Sequence, residues 1–435
     1  MTARTATART RFAVADELTC YYDRPSEPAN VHVEARVTGT LDELAVRAAV
    51  RALLAAEPGL RARRAATGGW RTSWHWEFPE SADVDPVEVV KFADEDELAG
   101  LRAAFLSRSP SLRTAPPFLF LLATGPGGDV LILNAHHAYF DGLSTLRLLR
   151  RVAEEYGGTR AAALAPARTA DVIRPDEPAP PPRTGAGRIT RIAPDVGTRA
   201  PGYGTVQVTW DGLPRVAGPL KAAGYSVNDL LVAALIVAIG EWNAGHGARP
   251  AARPGLVQVT MPVGDPAQAT DAGEWANRSR LTKVTARPRP GETAADVLGA
   301  VSAQTRYAKN HDSGQVDVLS RALTLAPVPV VIKRVSLRAG LALAGPLCCD
   351  TSLISNLGVV TPVRFGSAGD GYVWFSTSAH MPRGLSVGVV TTGDRPALTF
   401  RYRRALFSPS AAAAFAAAYV RVLDESAVVL EGRGR

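Results

Sequence analysis

The chain has 435 residues and a mass of 45.9 kDa, enough for two or three domains with buried cores. With 46% hydrophobic and 21% charged residues, it has an ordinary globular composition, which excludes a mainly disordered or fibrous chain. The net charge of +8 comes from 49 basic against 41 acidic residues.

Only five of the cations are Lys; the Arg residues are scattered with Ala, Gly and Pro along the whole length. The densest group, Arg61, Arg63 and Arg64, has no aromatic stacking platform, which argues against a nucleic-acid partner. Three cysteines, Cys20, Cys348 and Cys349, make neither a disulfide framework nor a zinc-site spacing, so no metal is expected and a cytoplasmic location is. The N-terminal MTARTATARTRF lacks the apolar core of a signal peptide, and every apolar stretch is interrupted before about 18 residues, so no transmembrane segment is expected.

The first clear element is the alternation in VHVEARVTG, which sets Val31, Val33, Ala35 and Val37 on one face of a strand. Leu41, Leu44, Val46, Ala49, Val50, Leu53 and Leu54 then follow at helical spacing, and Pro58 and Gly59 stop that helix. Two apolar runs between Phe118 and Asn134 flank a turn at Gly125 to Gly128 and read as a strand pair, the second strand leading to His136 and His137. Leu143, Leu146, Leu149 and Val152 predict a helix from Leu143 to Tyr156, so the two histidines fall at a strand-to-helix corner.

Six prolines between Pro166 and Pro182 mark 165–188 as a linker, separating a first lobe of 1–164 from a second of 189–435. In the second lobe YGTVQVTW reads as a strand. Ser226 to Trp242 follows as a buried apolar helix opened by the capping pair Ser226 and Asp229. Further strands are expected at GLVQVTMPV, SRLTKVTA, TSLISNLGVV, YVWFSTSA, GLSVGVVTT and ALTFRYR, with a closing helix after Ser408 and Pro409. Both halves are thus mixed α/β.

His136-His137-Ala138-Tyr139-Phe140-Asp141-Gly142 fits the pattern HHxxxDG. A strand ending on HHxxxDG and a helix opening after it resemble the acyltransferase superfamily of chloramphenicol acetyltransferase, nonribosomal peptide condensation domains and bacterial wax ester synthases. Pro58-Gly59-Leu60-Arg61 is similar to the family's Pro-x-Leu-Arg element, and SVNDLLVAALIVAI to the buried helix opening its second lobe. Ser355-Asn356-Leu357-Gly358 is similar to a late strand element, and the resemblance covers about residues 11 to 430.

The resemblance implies two chloramphenicol acetyltransferase-like lobes in a V, with an active-site tunnel between them. It also implies a stand-alone, monomeric enzyme that moves an acyl group from a phosphopantetheine thioester to a small-molecule amine or alcohol in specialised metabolism. No cofactor is bound permanently; the thioester, on coenzyme A or a carrier protein, is a co-substrate, and the basic chain suits such acidic partners. An amine or hydroxyl attacking a thioester carbonyl must lose a proton, work that suits a histidine with an ordinary pKa near 6.5. By the resemblance that residue is His137, transfer is direct without an acyl-enzyme, and the cysteines are not nucleophiles.

His136 is then a positioning residue and Asp141, just past the corner, a structural carboxylate that fixes the local backbone through charge-assisted hydrogen bonds or pairs with an Arg, for which Arg278 and Arg61 are candidates. Gly142 allows close approach and leaves a backbone N–H for an oxyanion. Tyr139, Ser355 and Asn356 are expected to line the cleft. Ser376, Thr377 and Ser378 match a triplet with which carnitine acyltransferases contact oxyanion and substrate. Of the other histidines only His380, near that triplet, is a further candidate. Leu323 to Ile332 and Leu341 to Leu347 read as packed core, with acyl-chain or membrane contact as the alternative. Alternatives for the whole chain are a wax ester or diacylglycerol-type O-acyltransferase using long-chain acyl-CoA, from HHAxxDGxS read through Ser144, a silent carrier-docking protein, and an epimerase.

Overall fold

The computed structural model describes residues 9–66, 68, 70–158, 188–195, 200–246, 255–263, 275–277, 280–310 and 318–433. In chain order the first half contains β1 (Arg9–Arg11), α1 (Val14–Tyr22), β2 (Asn30–Arg36), α2 (Glu43–Ala56), β3 (Arg63–Arg64), β4 (His75–Glu77), β5 (Val87–Lys91), α3 (Glu95–Leu106), β6 (Phe118–Thr124), β7 (Val130–His136) and α4 (Gly142–Gly157). The second half contains β8 (Tyr203–Thr209), α5 (Leu213–Ala222), α6 (Val227–His246), β9 (Val257–Val263), β10 (Arg280–Ala286), α7 (Ala294–Asn310), α8 (Val318–Leu325) and α9 (Val330–Cys348). It ends with β11 (Ser352–Val360), β12 (Val363–Arg364), β13 (Asp370–Thr377), β14 (Leu385–Thr392), β15 (Arg395–Arg403) and α10 (Pro409–Arg433). Apart from Arg188, the expected linker lies outside the described residues.

Each lobe is built on a six-stranded mixed sheet, ordered β12-β13-β2-β7-β6-β5 in the first and β10-β9-β11-β14-β15-β8 in the second. The division by sequence position needs a correction. β12 and β13 come from the second half yet complete the first lobe's sheet, Phe375 pairing with Val33 and Ser376 with His32. Val363, Phe365, Val373 and Phe375 accordingly pack in the same core as Val31, Val33, Leu131 and Leu149. The second core is centred on α6, buried on nearly all sides and capped by reciprocal bonds between Ser226 and Asp229. Among the described residues α6 alone is long and apolar enough to cross a bilayer, and it lies inside this core.

The alternation in β2 has a second consequence. Val31 and Val33 face the first core, while His32 and Glu34 point toward the second lobe and are equally buried. Glu34 receives two bonds from Arg102, 2.7 and 2.9 Å, and one from Gln207 on β8, 2.8 Å, so a carboxylate of one lobe is satisfied from both. Burial alone would raise the Glu34 pKa, but Arg102 and the hydrogen bond from His32 outweigh it and hold the carboxyl well below its usual range. Arg401 on β15 bonds Asn30 Oδ1 and the Leu106 carbonyl, and burial pushes its pKa down to about 10. At Gly388 a Cβ would lie 2.1 Å from the Phe375 carbonyl oxygen, so β14 of one sheet crosses β13 of the other in backbone contact that only glycine permits.

Candidate active site

β7 is paired with β2 up to His136 opposite Asn30, and the next amide, of His137, donates to the Ala29 carbonyl at 2.9 Å. The chain then turns, the Tyr139 and Phe140 amides both donating to the His136 carbonyl at 3.0 Å. Asp141 ends the turn as the N-cap of α4: its Oδ1 accepts from the Ser144 amide at 2.9 Å, while the Ser144 hydroxyl accepts from the Asp141 amide. Such a capping box fixes the start of a helix locally.

The two histidines are held in opposite tautomers. His137 Nδ1 lies 2.8 Å from the Phe140 carbonyl oxygen, which can only accept, so Nδ1 carries the proton and Nε2 the lone pair. Burial pushes the His137 pKa below 6.5 against the opposing effects of that carbonyl and of Asp141, which keeps the ring neutral at pH 7. His136 is the reverse: its Nδ1 accepts from the Ala138 amide at 3.1 Å, leaving the proton on Nε2, which faces Asp23 Oδ2 at 3.5 Å. A neutral His136 therefore has no lone pair to offer a substrate, whereas His137 does.

The second lobe reaches this corner directly. Asn277 Nδ2 donates to the His137 carbonyl at 2.8 Å. Trp275 lies against Phe140 with ring centroids 6.0 Å apart, carries the Arg147 guanidinium over its face, and donates to Glu57. A Cβ on Gly142 would meet Leu357 Cδ2 at 2.7 Å and Phe375 ring carbons at 3.0 and 3.1 Å, so this glycine lets the start of α4 seat against β11 and β13. Close approach is thus its structural role.

The remaining expected site residues are distributed differently. Tyr139 is a core residue: its ring packs on Trp76 and Phe140, and its hydroxyl donates to the Gly59 carbonyl at 2.8 Å. Ser376 is fully buried and bonds His32 Nδ1 at 3.0 Å. Because His32 Nε2 donates to Glu34, Nδ1 must accept, so the Ser376 hydroxyl proton is already used within the sheet. Ser378 and Thr377 are buried, and the Thr377 carbonyl accepts from Ser386. Ser355 lies on β11 on the same face as Leu357, whereas Asn356 Oδ1 accepts from the Gly358 amide where β11 breaks register.

Arg61 is not placed on Asp141; its guanidinium caps the carbonyls of Leu54, Ala55 and Pro79. Arg278 lies outside the described residues. His380 Nε2 donates to the Glu27 carbonyl at 3.0 Å, and burial pushes its pKa down to about 3. Sequence reasoning passed over Asp23, Trp275 and Asn277, because nothing local ties a lone Asp, Trp or Asn to a motif more than a hundred residues away.

No family model matches the chain. An uncharacterized protein of Mycobacterium tuberculosis, present in strains CDC 1551 and H37Rv, is 30% identical over 430 residues, spanning 94% of this chain and 97% of the relative. Among solved structures, the first condensation domain of the calcium-dependent antibiotic synthetase superposes with a TM-score of 0.66 at 16% identity, covering 97% of each chain. The epimerization domain from the third module of tyrocidine synthetase B gives 0.64 at 14% identity with full coverage of both. The SgcC5 protein from Streptomyces globisporus gives 0.62 at 18%, over 96% of this chain and 99% of that one.

The fold is therefore the two-lobed, chloramphenicol acetyltransferase-like fold of condensation domains. By its sequence the chain belongs to the same family as the M. tuberculosis protein.

Proposed function

We propose that the chain is a condensation-type acyltransferase that moves an acyl group from a phosphopantetheine thioester, on coenzyme A or a carrier protein, to an amine or hydroxyl, with His137 as general base. The observation that carries this reading is the His137 tautomer: Nδ1–H is committed to the Phe140 carbonyl, so Nε2 of a neutral ring is the basic atom. The acceptor N–H or O–H gives its proton to Nε2 as its lone pair forms a bond to the thioester carbon. The tetrahedral adduct then collapses, the C–S bond breaks, and the imidazolium proton goes to the departing thiolate. The Gly142 amide, at the positive end of α4, is the donor we assign to the oxyanion.

A covalent route through cysteine is disfavoured, because burial pushes the thiol pKa of both Cys20 and Cys349 upward. Alcohols are included among the acceptors because SgcC5 was crystallised with a naphthyl ethanediol. The test is intact-protein and product mass spectrometry with a panel of acyl-CoAs and acyl-loaded carrier proteins, each with and without pooled amines and alcohols. The proposal expects product mass and free thiol only when donor and acceptor are both present, with no mass added to the protein. Donor-dependent acylation of the protein would overturn direct transfer. The epimerization-domain neighbour gives the rival outcome, α-carbon deuterium exchange without acyl transfer.

A further inference from the structure

The stretches Leu323 to Ile332 and Leu341 to Leu347, expected as packed core, are only partly so. Val330 is buried, but Leu325 is 59% exposed, Val335 62% and Leu343 82%, with Val331 and Ile332 also exposed. At 100° per residue, Val331, Ile332, Val335 and Leu343 fall within about 120° of arc on α9, while Val330, Lys333 and Leu337 lie on the opposite face. That inner face is pinned: Lys333 is buried and donates to the carbonyls of Thr72 and Thr324, and Leu337 packs on the first core. The outer stripe is thus the free side of a docked helix rather than a helix turned the wrong way.

A second element lies alongside. The Val330 amide donates to the Arg71 carbonyl at 2.8 Å, which with the Lys333–Thr72 bond sets the 70–72 turn at the start of α9. Its Trp70 is 78% exposed and Arg71 is exposed beside it. Five of the thirteen exposed large apolar side chains among the described residues therefore collect on α9 and this turn, and a sixth, Leu325, ends α8 beside the Thr324 carbonyl that Lys333 holds. Arg334 and Arg338 border one edge of the stripe, Arg338 also holding the Tyr21 and Asp23 carbonyls. Not one Asp or Glu occurs from Val318 to Cys349.

We propose that this face, α9 with the Trp70 turn, seats the protein on the surface of an anionic phospholipid bilayer. Apolar side chains at acyl-boundary depth, an exposed Trp, bordering arginines and no carboxylate on α8 or α9 themselves are the combination that an anionic interface selects. A second copy of this chain would bring the same arginines together, and an acidic protein would leave the aliphatic stripe unmatched.

The test is co-sedimentation of the full chain with vesicles of phosphatidylcholine alone and of phosphatidylcholine mixed equally with phosphatidylglycerol. Binding is expected to the mixed vesicles only, weakening with salt, and falling on the order of tenfold or more in Val335→Asp/Leu343→Asp. Quenching of tryptophan fluorescence by brominated lipid is expected to drop in Trp70→Phe, which identifies the face in contact. Circular dichroism and melting identical to wild type certify the variants, with Trp70→Ser/Arg71→Glu as a second pair at an exposed turn. No binding to anionic vesicles, binding untouched by both pairs, or a dimer that Val335→Asp/Leu343→Asp makes monomeric would each overturn the proposal. None of these readouts depends on acyl transfer.

Discussion

Replacing Gly142 by Ala puts a single methyl where α4 meets β11 and β13. That carbon would sit 2.7 Å from Leu357 Cδ2 and 3.0 to 3.1 Å from the Phe375 ring, against an optimum of about 3.5 to 4.0 Å. Leu357 and Phe375 are 7% and 1% exposed, so neither can move out into solvent to make room. Overpacking by one methyl costs about 1–3 kcal/mol, while the helix-propensity advantage of Ala over Gly gives back less than about 1 kcal/mol at a first helical position. We expect a net loss of about 1–2 kcal/mol. Leu357→Ala alone opens a cavity and costs about 2–5 kcal/mol, part of which the new methyl refills. The double variant should therefore be about 1–2 kcal/mol more stable than the sum of the two changes. Urea unfolding of the four proteins, followed by circular dichroism and tryptophan fluorescence, measures the coupling. Additivity within about 0.5 kcal/mol would refute the packing argument for Gly142.

Three further outcomes follow from named contacts. Asn277→Ala removes the bond from the second lobe to the His137 carbonyl, so stability should fall by only about 1 kcal/mol while kcat falls about tenfold with KM little changed; steady-state kinetics beside a thermal melt would separate this from general unfolding. Ser376→Ala should leave turnover intact and lower stability by about 1–3 kcal/mol, since it strands His32 Nδ1 in the buried network; loss of turnover in a folded variant would return Ser376 to the site. His380 has a folded pKa of about 3 against 6.5 unfolded, so the unfolded chain binds more protons between these values. Its contribution to stability is present above pH 6.5 and is lost as pH falls, by up to about 1.4 kcal/mol per pH unit. Urea midpoints from pH 7 to 5 should therefore drop more steeply for wild type than for His380→Gln, and parallel curves would contradict this.

What was legible in the sequence was local. The corner from His136 to Gly142, the apolar α6 and the closing α10 all rest on residues within a turn or two of each other. The return of β12 and β13 to the first sheet was not legible, since strand pattern states which face is buried but not which distant strand is the partner. The alternation in β2 makes the same point: His32 and Glu34 occupy positions that normally face water, yet they carry the buried polar layer between the lobes. Tyr139 and Ser376, both expected at the cleft, lie in the core instead, where a hydroxyl is equally satisfied by a neighbouring carbonyl or imidazole. Asn277 reaches His137, and Trp275 reaches Phe140, only through the folded arrangement of the two lobes.

Acceptor-dependent thiol release by wild type, His137→Ala and His136→Ala, followed across pH, tests most directly whether a neutral His137 acts through Nε2. Wild-type kcat/KM should rise with pH through a pKa below 6.5 and be level by pH 7, because the neutral ring is the base and burial favours it. His137→Ala should lose about a hundredfold or more of the rate and the acid limb with it, whereas His136→Ala should keep that limb. Full turnover in a folded His137→Ala, or an acid limb unchanged by its removal, would contradict the assignment.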